Sequence, residues 1–125
     1  MDKKANKIDI TDRTFKFSIQ VVKLLIYLRK NNKNIWEIAN QFLSSGTSIG
    51  ANIEEAQSAS SRKDFINKMT IALREARETR YWLRLFYASK ICSVKLLEPL
   101  MKENLEIIKI LVSIIKNSKI NNYEL

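Results

Sequence analysis

Four carboxylates come nearest to a catalytic arrangement in this chain. Glu54 and Glu55 are adjacent, and Glu75 and Glu78 are three residues apart. If they lie on neighbouring helices, they could hold Mg²⁺, which prefers oxygen ligands. Adjacent helical residues point about 100° apart, however, so Glu54 and Glu55 cannot easily face one ion. A Mg²⁺-dependent nucleotide hydrolase that uses these four residues is therefore only an alternative hypothesis.

Other catalytic templates lack the residues that they need. The chain contains no histidine and a single cysteine, Cys92, so the commonest general base and the usual zinc ligands are missing. No phosphate-binding glycine loop or nucleophilic serine elbow occurs. We therefore expect a protein that is not an enzyme, with no catalytic residue, metal or cofactor.

Arginines close to the carboxylates in the sequence favour a structural role for these acids. Arg74, Arg77, Arg80 and Arg84 lie on the same predicted helix as Glu75 and Glu78, and buried polar networks fix register and partner geometry. We predict ion pairs and hydrogen bonds between helices or subunits. The predicted network comprises Ser48, Asn52, Glu54, Glu55, Arg74, Glu75, Arg77, Glu78 and Arg80.

Residues 44–56 (SSGTSIGANIEEA) are unusually rich in small side chains for a helix. Gly46 and Gly50 are four residues apart and so share one helix face. Glycine inside a helix costs about 0.5–1 kcal/mol relative to alanine. The pair therefore predicts a close approach of another helix.

The whole chain favours long helices with short connections. It has two glycines, one proline and 46% hydrophobic residues, which leaves little room for tight turns. We predict an all-α, up-down-up-down four-helix bundle forming a single domain over residues 1–125, with residues 1–11 as a flexible tail. The first helix is expected to run from Thr11 or Asp12 to about Asn31, and the second from about Ile35 to Ser58. The third should run from Arg62 to about Lys90, with Ser60 or Ser61 as its cap. The fourth should run from about Ser93 to between Lys116 and Lys119.

Composition also indicates the cellular compartment. A single cysteine suits a reducing cytosol, no apolar run approaches the roughly 20 residues that span a bilayer, and the N-terminus has no signal-peptide core. We expect a soluble, cytoplasmic protein without a membrane partner.

The net charge of +9 is unevenly distributed. Residues 1–33 carry +6 and residues 62–90 carry +5, whereas residues 34–61 contain three glutamates and no basic residue. Such asymmetry favours a polyanionic partner such as nucleic acid, although lysines also simply keep small proteins soluble. The candidate nucleic-acid-binding residues are Arg13, Lys16, Lys23, Lys30 and Arg84.

Helices 1 and 4 are apolar over more of their surface than a monomeric bundle needs. Helix 1 has two nearly opposite stripes, and helix 4 has a broad apolar arc with Lys102, Lys109 and Lys116 on the remaining side. Soluble monomers rarely expose so large a patch. We therefore predict a homo-oligomer with helices 1 and 4 at the interface. The stripes of helix 1 are Phe15, Ile19, Val22 and Ile26, and Phe17, Val21, Leu24 and Leu28.

Two segments closely resemble the bacterial four-helix bundle proteins of the 23S rRNA intervening-sequence family. They are GTSIGANIEEA (residues 46–56) and IALREARETRYWL (residues 71–83), with DFI (residues 64–66) between them. Ser44 departs from the family's usual arginine, which weakens any nucleic-acid role at that position. The resemblance implies a ring-like homopentamer. The chain is also similar to the accessory variability protein of diversity-generating retroelements, a basic pentameric barrel that works with a reverse transcriptase and nucleic acid.

These observations lead to three hypotheses. The first is a non-enzymatic homo-oligomer, a pentamer by the resemblance, whose basic surface binds RNA or other nucleic acid with low sequence specificity. The second is a scaffold for a protein partner without nucleic-acid binding. The third is the Mg²⁺-dependent hydrolase.

Overall fold

A computed structural model describes the backbone of residues 3–32 and 34–124 and the side chains of residues 10–32 and 34–120. It contains the helices α1 (Lys3–Asn31), α2 (Trp36–Ala56), α3 (Arg62–Ala88) and α4 (Val94–Glu124), and no strand within the described ranges. The predicted all-α fold with four helices is confirmed.

Helix α3 begins as its sequence predicts. The Ser61 hydroxyl accepts a hydrogen bond from the Asp64 backbone N–H (3.0 Å), and the Asp64 carboxylate accepts one from the Ser60 N–H (3.1 Å). The first bond satisfies one of the backbone donors that a helix start leaves without a partner, and the second ties the residue before the cap to the first turn of the helix. Ser61 is therefore the cap.

Helix α1 begins earlier than expected. It starts at Lys3, so the predicted start at Thr11 or Asp12 is wrong. The Thr14 hydroxyl bonds back to the Ile10 carbonyl (2.8 Å), and Ile10 is fully buried. Core packing therefore extends the helix past two residues that are good caps by type. The flexibility predicted for residues 1–11 stays a prediction.

Neighbours in the chain are neighbours in space. Helix α1 packs against α2, α2 against α3, α3 against α4, and α4 against α1, whereas α1 and α3 lie diagonally, with no Cα atoms within 8 Å of each other in the described ranges. Large side chains fill the centre, where the rings of Phe42 and Phe86 meet edge to face with centroids 5.3 Å apart. Other fully buried side chains include Phe17, Leu28, Ile49, Ile53, Leu83, Ile107 and Leu111.

Each helix also contributes one buried polar side chain to this core: Thr14, Ser45, Thr79 or Asn104. The Thr79 hydroxyl lies 3.0 Å from Ser45 Oγ. The Asn104 side-chain amide donates to the Ala76 carbonyl (3.1 Å), while its Oδ1 has no hydrogen-bond partner among the residues whose side chains are described. Buried polar groups of this kind specify the register of packed helices.

Candidate functional site

Two contacts show which sides of α1 face its neighbouring helices. The Arg13 guanidinium reaches the Glu103 carboxylate on α4, so this flank of α1 faces α4. A Cβ on Gly50 of α2 would lie 3.2 Å from the Thr14 carbonyl oxygen and 3.4 Å from Ser18 Oγ, so that flank faces α2.

The basic face lies on the solvent side of α1 and α4. Lys16, Lys23 and Lys30 on α1 recur every seven residues and are exposed, which spaces them about 10.5 Å apart along one side of the helix. Lys102, Lys109 and Lys116 repeat the spacing on α4 and are also exposed. We call these six lysines the basic face. Their arrangement suits an extended polyanion.

Two of these lysines have acidic neighbours. Lys16 Nζ lies 3.0 Å from Asp12 Oδ2, and Lys109 Nζ lies 3.7 Å from Glu106 Oε1. Exposed ion pairs of this kind contribute roughly 0–1 kcal/mol and are screened by salt. Both lysines are therefore accessible to a phosphate that competes with the carboxylate.

Arg13 differs from the lysines that follow it on α1. Its Nε and Nη2 donate to the two Glu103 carboxylate oxygens at 2.8 and 2.6 Å, a bidentate pair with favourable geometry. It therefore joins α1 to α4 instead of lying free in solvent as the sequence predicted. A shallow groove of about 430 Å³ runs beside this pair and is also lined by Lys16, Gln20 and Pro99.

Arg84 is not brought to the basic face. It is exposed on α3, which packs against α2 and α4 and carries none of the six lysines. The five residues predicted to bind nucleic acid are thus divided between different surfaces.

The four candidate catalytic carboxylates are not gathered around a cation site. Glu54, Glu55 and Glu78 are exposed and Glu75 is half-buried, and the described residues contain no group of three or more metal-binding side chains. Burial, followed by repulsion from Glu78, raises the pKa of Glu75, while Arg74 partly lowers it. Glu78 accepts a hydrogen bond from the Trp82 indole N–H (3.2 Å). The arrangement gives the hydrolase hypothesis no support.

The predicted polar network does not form within one chain. The Ser48 hydroxyl donates to the Ser44 carbonyl (2.6 Å) and the Asn52 amide to the Ser48 carbonyl (2.8 Å), so both bonds stay inside α2. Among the described residues, none of the predicted network's acids and arginines forms an ion pair. Pairing between subunits stays a prediction.

Gly46 and Gly50 lie against α1. A Cβ added to Gly46 would be 2.8 Å from both Val21 methyl groups, which is too close for packed carbon atoms. The missing side chains therefore let the α1 and α2 backbones approach each other. The buried Ser45–Thr79 contact across α2 and α3, in contrast, has no distinctive sequence signal beyond two small hydroxyl residues.

One apolar stripe of α1 faces solvent. Phe17, Val21, Leu24 and Leu28 are at most 5% exposed, whereas Phe15, Ile19, Val22 and Ile26 are 55%, 41%, 39% and 62% exposed. We call the second set the α1 edge. The bundle has buried one of the two predicted stripes and left the other uncovered.

Helix α4 carries a comparable apolar stripe. Val94, Leu105 and Val112 are 44%, 39% and 41% exposed, and Met101 and Ile108 beside them are half-buried. We call these five residues the α4 edge. The spacing of the α1 edge (i, i+4, i+7 and i+11) recurs in Met101, Leu105, Ile108 and Val112. No helix in the described part of the chain is long and apolar enough to cross a membrane.

Comparison with known proteins identifies the family. The model of the 23S rRNA-intervening sequence protein family matches residues 6–113. Among solved structures, the chain is similar to a protein of unknown function from the S23 ribosomal protein family of Bacteroides thetaiotaomicron, with 42% sequence identity and a TM-score of 0.84. The match covers 89% of this chain and 98% of that one. No curated protein matches the chain. On the evidence of fold, motifs and family model, the chain belongs to the 23S rRNA-intervening sequence protein family.

Proposed function

We propose that this protein is a non-enzymatic, cytoplasmic homo-oligomer whose basic face binds RNA or another nucleic acid with low sequence specificity. The observation that carries the proposal is the α1 edge, whose four large apolar side chains are 39–62% exposed in the isolated chain. The subunit number of five comes from the family resemblance alone.

The energetics of the α1 edge favour self-association. Fully burying one large aliphatic or aromatic side chain contributes roughly 1.5–3 kcal/mol. Four such side chains in one row form the kind of patch that marks a protein contact. The α4 edge adds a second patch of similar spacing, so each copy has apolar surface to bury on two helices.

The basic face supports nucleic-acid binding. Its six lysines are exposed, and the chain as a whole carries +9. Lysines arranged in rows contact phosphates and not base edges, which gives affinity with little sequence preference. Each copy added to an oligomer would add another basic face, so assembly would strengthen binding through multivalency.

Two measurements test the proposal. Light scattering on the purified protein should return a multiple of the 14.6 kDa chain mass, and a gel-shift titration with structured RNA should show binding that weakens steeply as salt rises. A chain that scatters as a monomer contradicts the oligomer. Absence of binding at low salt, or binding that salt does not change, contradicts the nucleic-acid role.

A protein scaffold is the second candidate function, and one observation favours it. Glu55 and Glu78 are exposed and form no ion pair among the described residues, so they are available to a basic protein partner. Replacing Glu55 and Glu78 by glutamine should abolish capture of such a partner without weakening RNA binding. The reverse pattern, with RNA binding lost and no partner captured, would reject the scaffold.

A further inference from the structure

We propose that the ring of Tyr27 stacks on an unpaired base of the nucleic acid that the basic face binds, so that this face prefers single strands to duplexes. The inference rests on the proposed nucleic-acid binding and names the form of nucleic acid bound. It depends on the position of Tyr27 among the lysines of α1, on the exposure of its ring and on the charge around it.

Tyr27 lies within the α1 row of the basic face. It follows Lys23 by four residues and precedes Lys30 by three, and side chains at these spacings are neighbours on a helix. At about 100° and 1.5 Å per residue, Tyr27 is about 40° around the helix and 6 Å along it from Lys23, and about 60° and 4.5 Å from Lys30. All three side chains are exposed. An aromatic ring is therefore set between two cations on one side of α1.

The ring of Tyr27 has no partner in the described part of its own chain. Tyr27 is 42% exposed, and none of the ring–ring or cation–ring contacts between described residues involves it. The Asn31 side-chain amide bonds to the Tyr27 backbone carbonyl (2.8 Å) and leaves the ring free. Trp36, also exposed at this end of the bundle, differs because the Arg29 guanidinium already lies 5.5 Å from its ring centre. Tyr27 is thus available for stacking.

The lengths of α1 and α4 account for this exposure. Tyr27 lies about 40° around α1 from Arg13, which binds Glu103 on α4, so its side of the helix points towards α4. Along α1, Tyr27 is about 21 Å from Arg13, whereas α4 begins at Val94, only about 13.5 Å from Glu103. Because these two helices are antiparallel, α4 begins about 7 Å short of the level of Tyr27 and does not cover the ring.

The charge around Tyr27 suits a polyanion. Residues 13–36 contain six basic side chains and no acidic one. Neither Lys23 nor Lys30 forms an ion pair with another described residue, so both are available to phosphates.

Single-stranded nucleic acid has the chemistry that fits this combination. Proteins bind single strands with a positively charged surface that follows the backbone and with aromatic rings on which the bases stack. With one base on Tyr27, the phosphates before and after it lie towards Lys23 and Lys30. The bases of a duplex are already stacked on one another, so a duplex uses the lysines only. Tyr27 is therefore the residue that distinguishes the two forms.

Replacement of the ring tests the inference. Tyr27→Ala removes the stacking surface and Tyr27→Phe keeps it. Tyr81→Ala is the matched control, since Tyr81 is 56% exposed on α3, which carries none of the six lysines. The probes are a fluorescent oligouridine, the same oligomer with abasic nucleotides, and an RNA duplex. Circular dichroism checks that every variant folds.

Tyr27→Ala should weaken binding of the oligouridine by roughly 5- to 150-fold, the usual effect of removing one stacked ring. Tyr27→Phe and Tyr81→Ala should each change it by less than about twofold. The abasic oligomer and the duplex should bind Tyr27→Ala and the wild type equally, because neither presents a base face to the ring. The slope of log affinity against log salt should stay the same in Tyr27→Ala, which loses no phosphate contact.

The outcomes separate this inference from the proposed function. Oligouridine binding that Tyr27→Ala leaves unchanged, or duplex binding that it weakens by the same factor, would overturn base stacking while the basic face kept its role. A loss of affinity for the abasic oligomer in Tyr27→Ala would equally overturn it. A protein that binds none of the three probes at low salt would overturn the proposed nucleic-acid binding, and this inference with it.

Discussion

The Thr79 hydroxyl lies 3.0 Å from Ser45 Oγ across the buried contact between α3 and α2 and 2.8 Å from the Glu75 carbonyl oxygen of its own helix, so its one proton is shared between these two acceptors. Ser45 in turn donates to the Phe42 carbonyl of its own helix (3.2 Å). Both side chains are at most 1% exposed. The pair therefore fixes which turns of α2 and α3 face each other, in the helix pair that carries both family motifs.

Replacing Thr79 by valine should lower the free energy of unfolding by about 1 kcal/mol, the usual net contribution of a buried hydrogen bond. The matched control is Thr70→Val, since Thr70 is exposed on the same helix and bonds only to the Ile66 carbonyl (2.7 Å). Urea denaturation compares the two variants. Equal losses would mean that the bond to Ser45 contributes nothing of its own.

Gly46→Ala should destabilise the fold by about 1–3 kcal/mol, the usual cost of overpacking a core. Alanine is the better helix former, but its Cβ would lie 2.8 Å from both Val21 methyl groups. Adding Val21→Ala should recover part of the loss, because it removes the atoms that clash. Thermal unfolding measures all three variants, and a Gly46→Ala protein that melts higher than wild type would refute the close approach.

Asn104→Leu should stabilise the protein by about 1–3 kcal/mol. The Asn104 Oδ1 is buried with no hydrogen-bond partner in the described part of the chain, and such a group bears a desolvation penalty of about this size. Leucine has a similar volume and no polar atom, and the Ala76 carbonyl keeps its place in α3 when the amide is removed. Asn117→Leu, at an exposed position of the same helix, is the control for hydrophobicity alone. A lower denaturation midpoint for Asn104→Leu would show that Oδ1 has a partner in solution.

Charge reversal at Lys23 and Lys30 should weaken RNA binding at every sequence tested. Each phosphate contact that is lost should reduce the slope of log affinity against log salt by about one. Lys63→Glu is the control, because Lys63 is exposed on α3 and lies outside the basic face. Gel shifts at several salt concentrations provide the slopes. A control that weakens binding as much as the α1 variants would show that net charge matters and position does not.

Glu75→Gln should raise stability at neutral pH. Burial and the neighbouring Glu78 raise the pKa of Glu75 above its ordinary value of 4.5, so the folded state binds a proton more readily than the unfolded chain. The ionised carboxylate is therefore unfavourable in the fold. Its stability cost should appear as pH rises through the folded pKa and should disappear below about pH 4.5. Denaturation at pH 4 and pH 7 compares Glu75→Gln with the exposed control Glu54→Gln, and a gain that is the same at both pH values would contradict this assignment.

Local patterns in the chain account for much of the architecture. Ser61 and Asp64 mark the start of α3 because capping depends on residues within one turn. The same reasoning predicted the wrong start for α1, at Thr11 or Asp12, since burial of Ile10 outweighs the preference of a capping residue for the helix start. The polar network predicted around Glu54 and Arg77 has no ion pair among the described residues of one chain and stays a prediction between subunits, because residue type and helix assignment do not specify which sides of two helices meet.

Helical periodicity in the sequence predicts four helices, two apolar stripes on α1 and lysines repeating every seven residues on α1 and α4, because these features depend only on residue spacing. It left open which stripe of α1 faces the core, since Phe15 and Ile19 are as apolar as Phe17 and Val21. Packing of the helices selects the stripe that is buried. Val21 lies against Gly46, where a Cβ would be 2.8 Å from both Val21 methyl groups, whereas Phe15 is 55% exposed. The tertiary structure also joined Arg13 to Glu103, ninety residues away, because burial and ion pairing depend on which helices become neighbours.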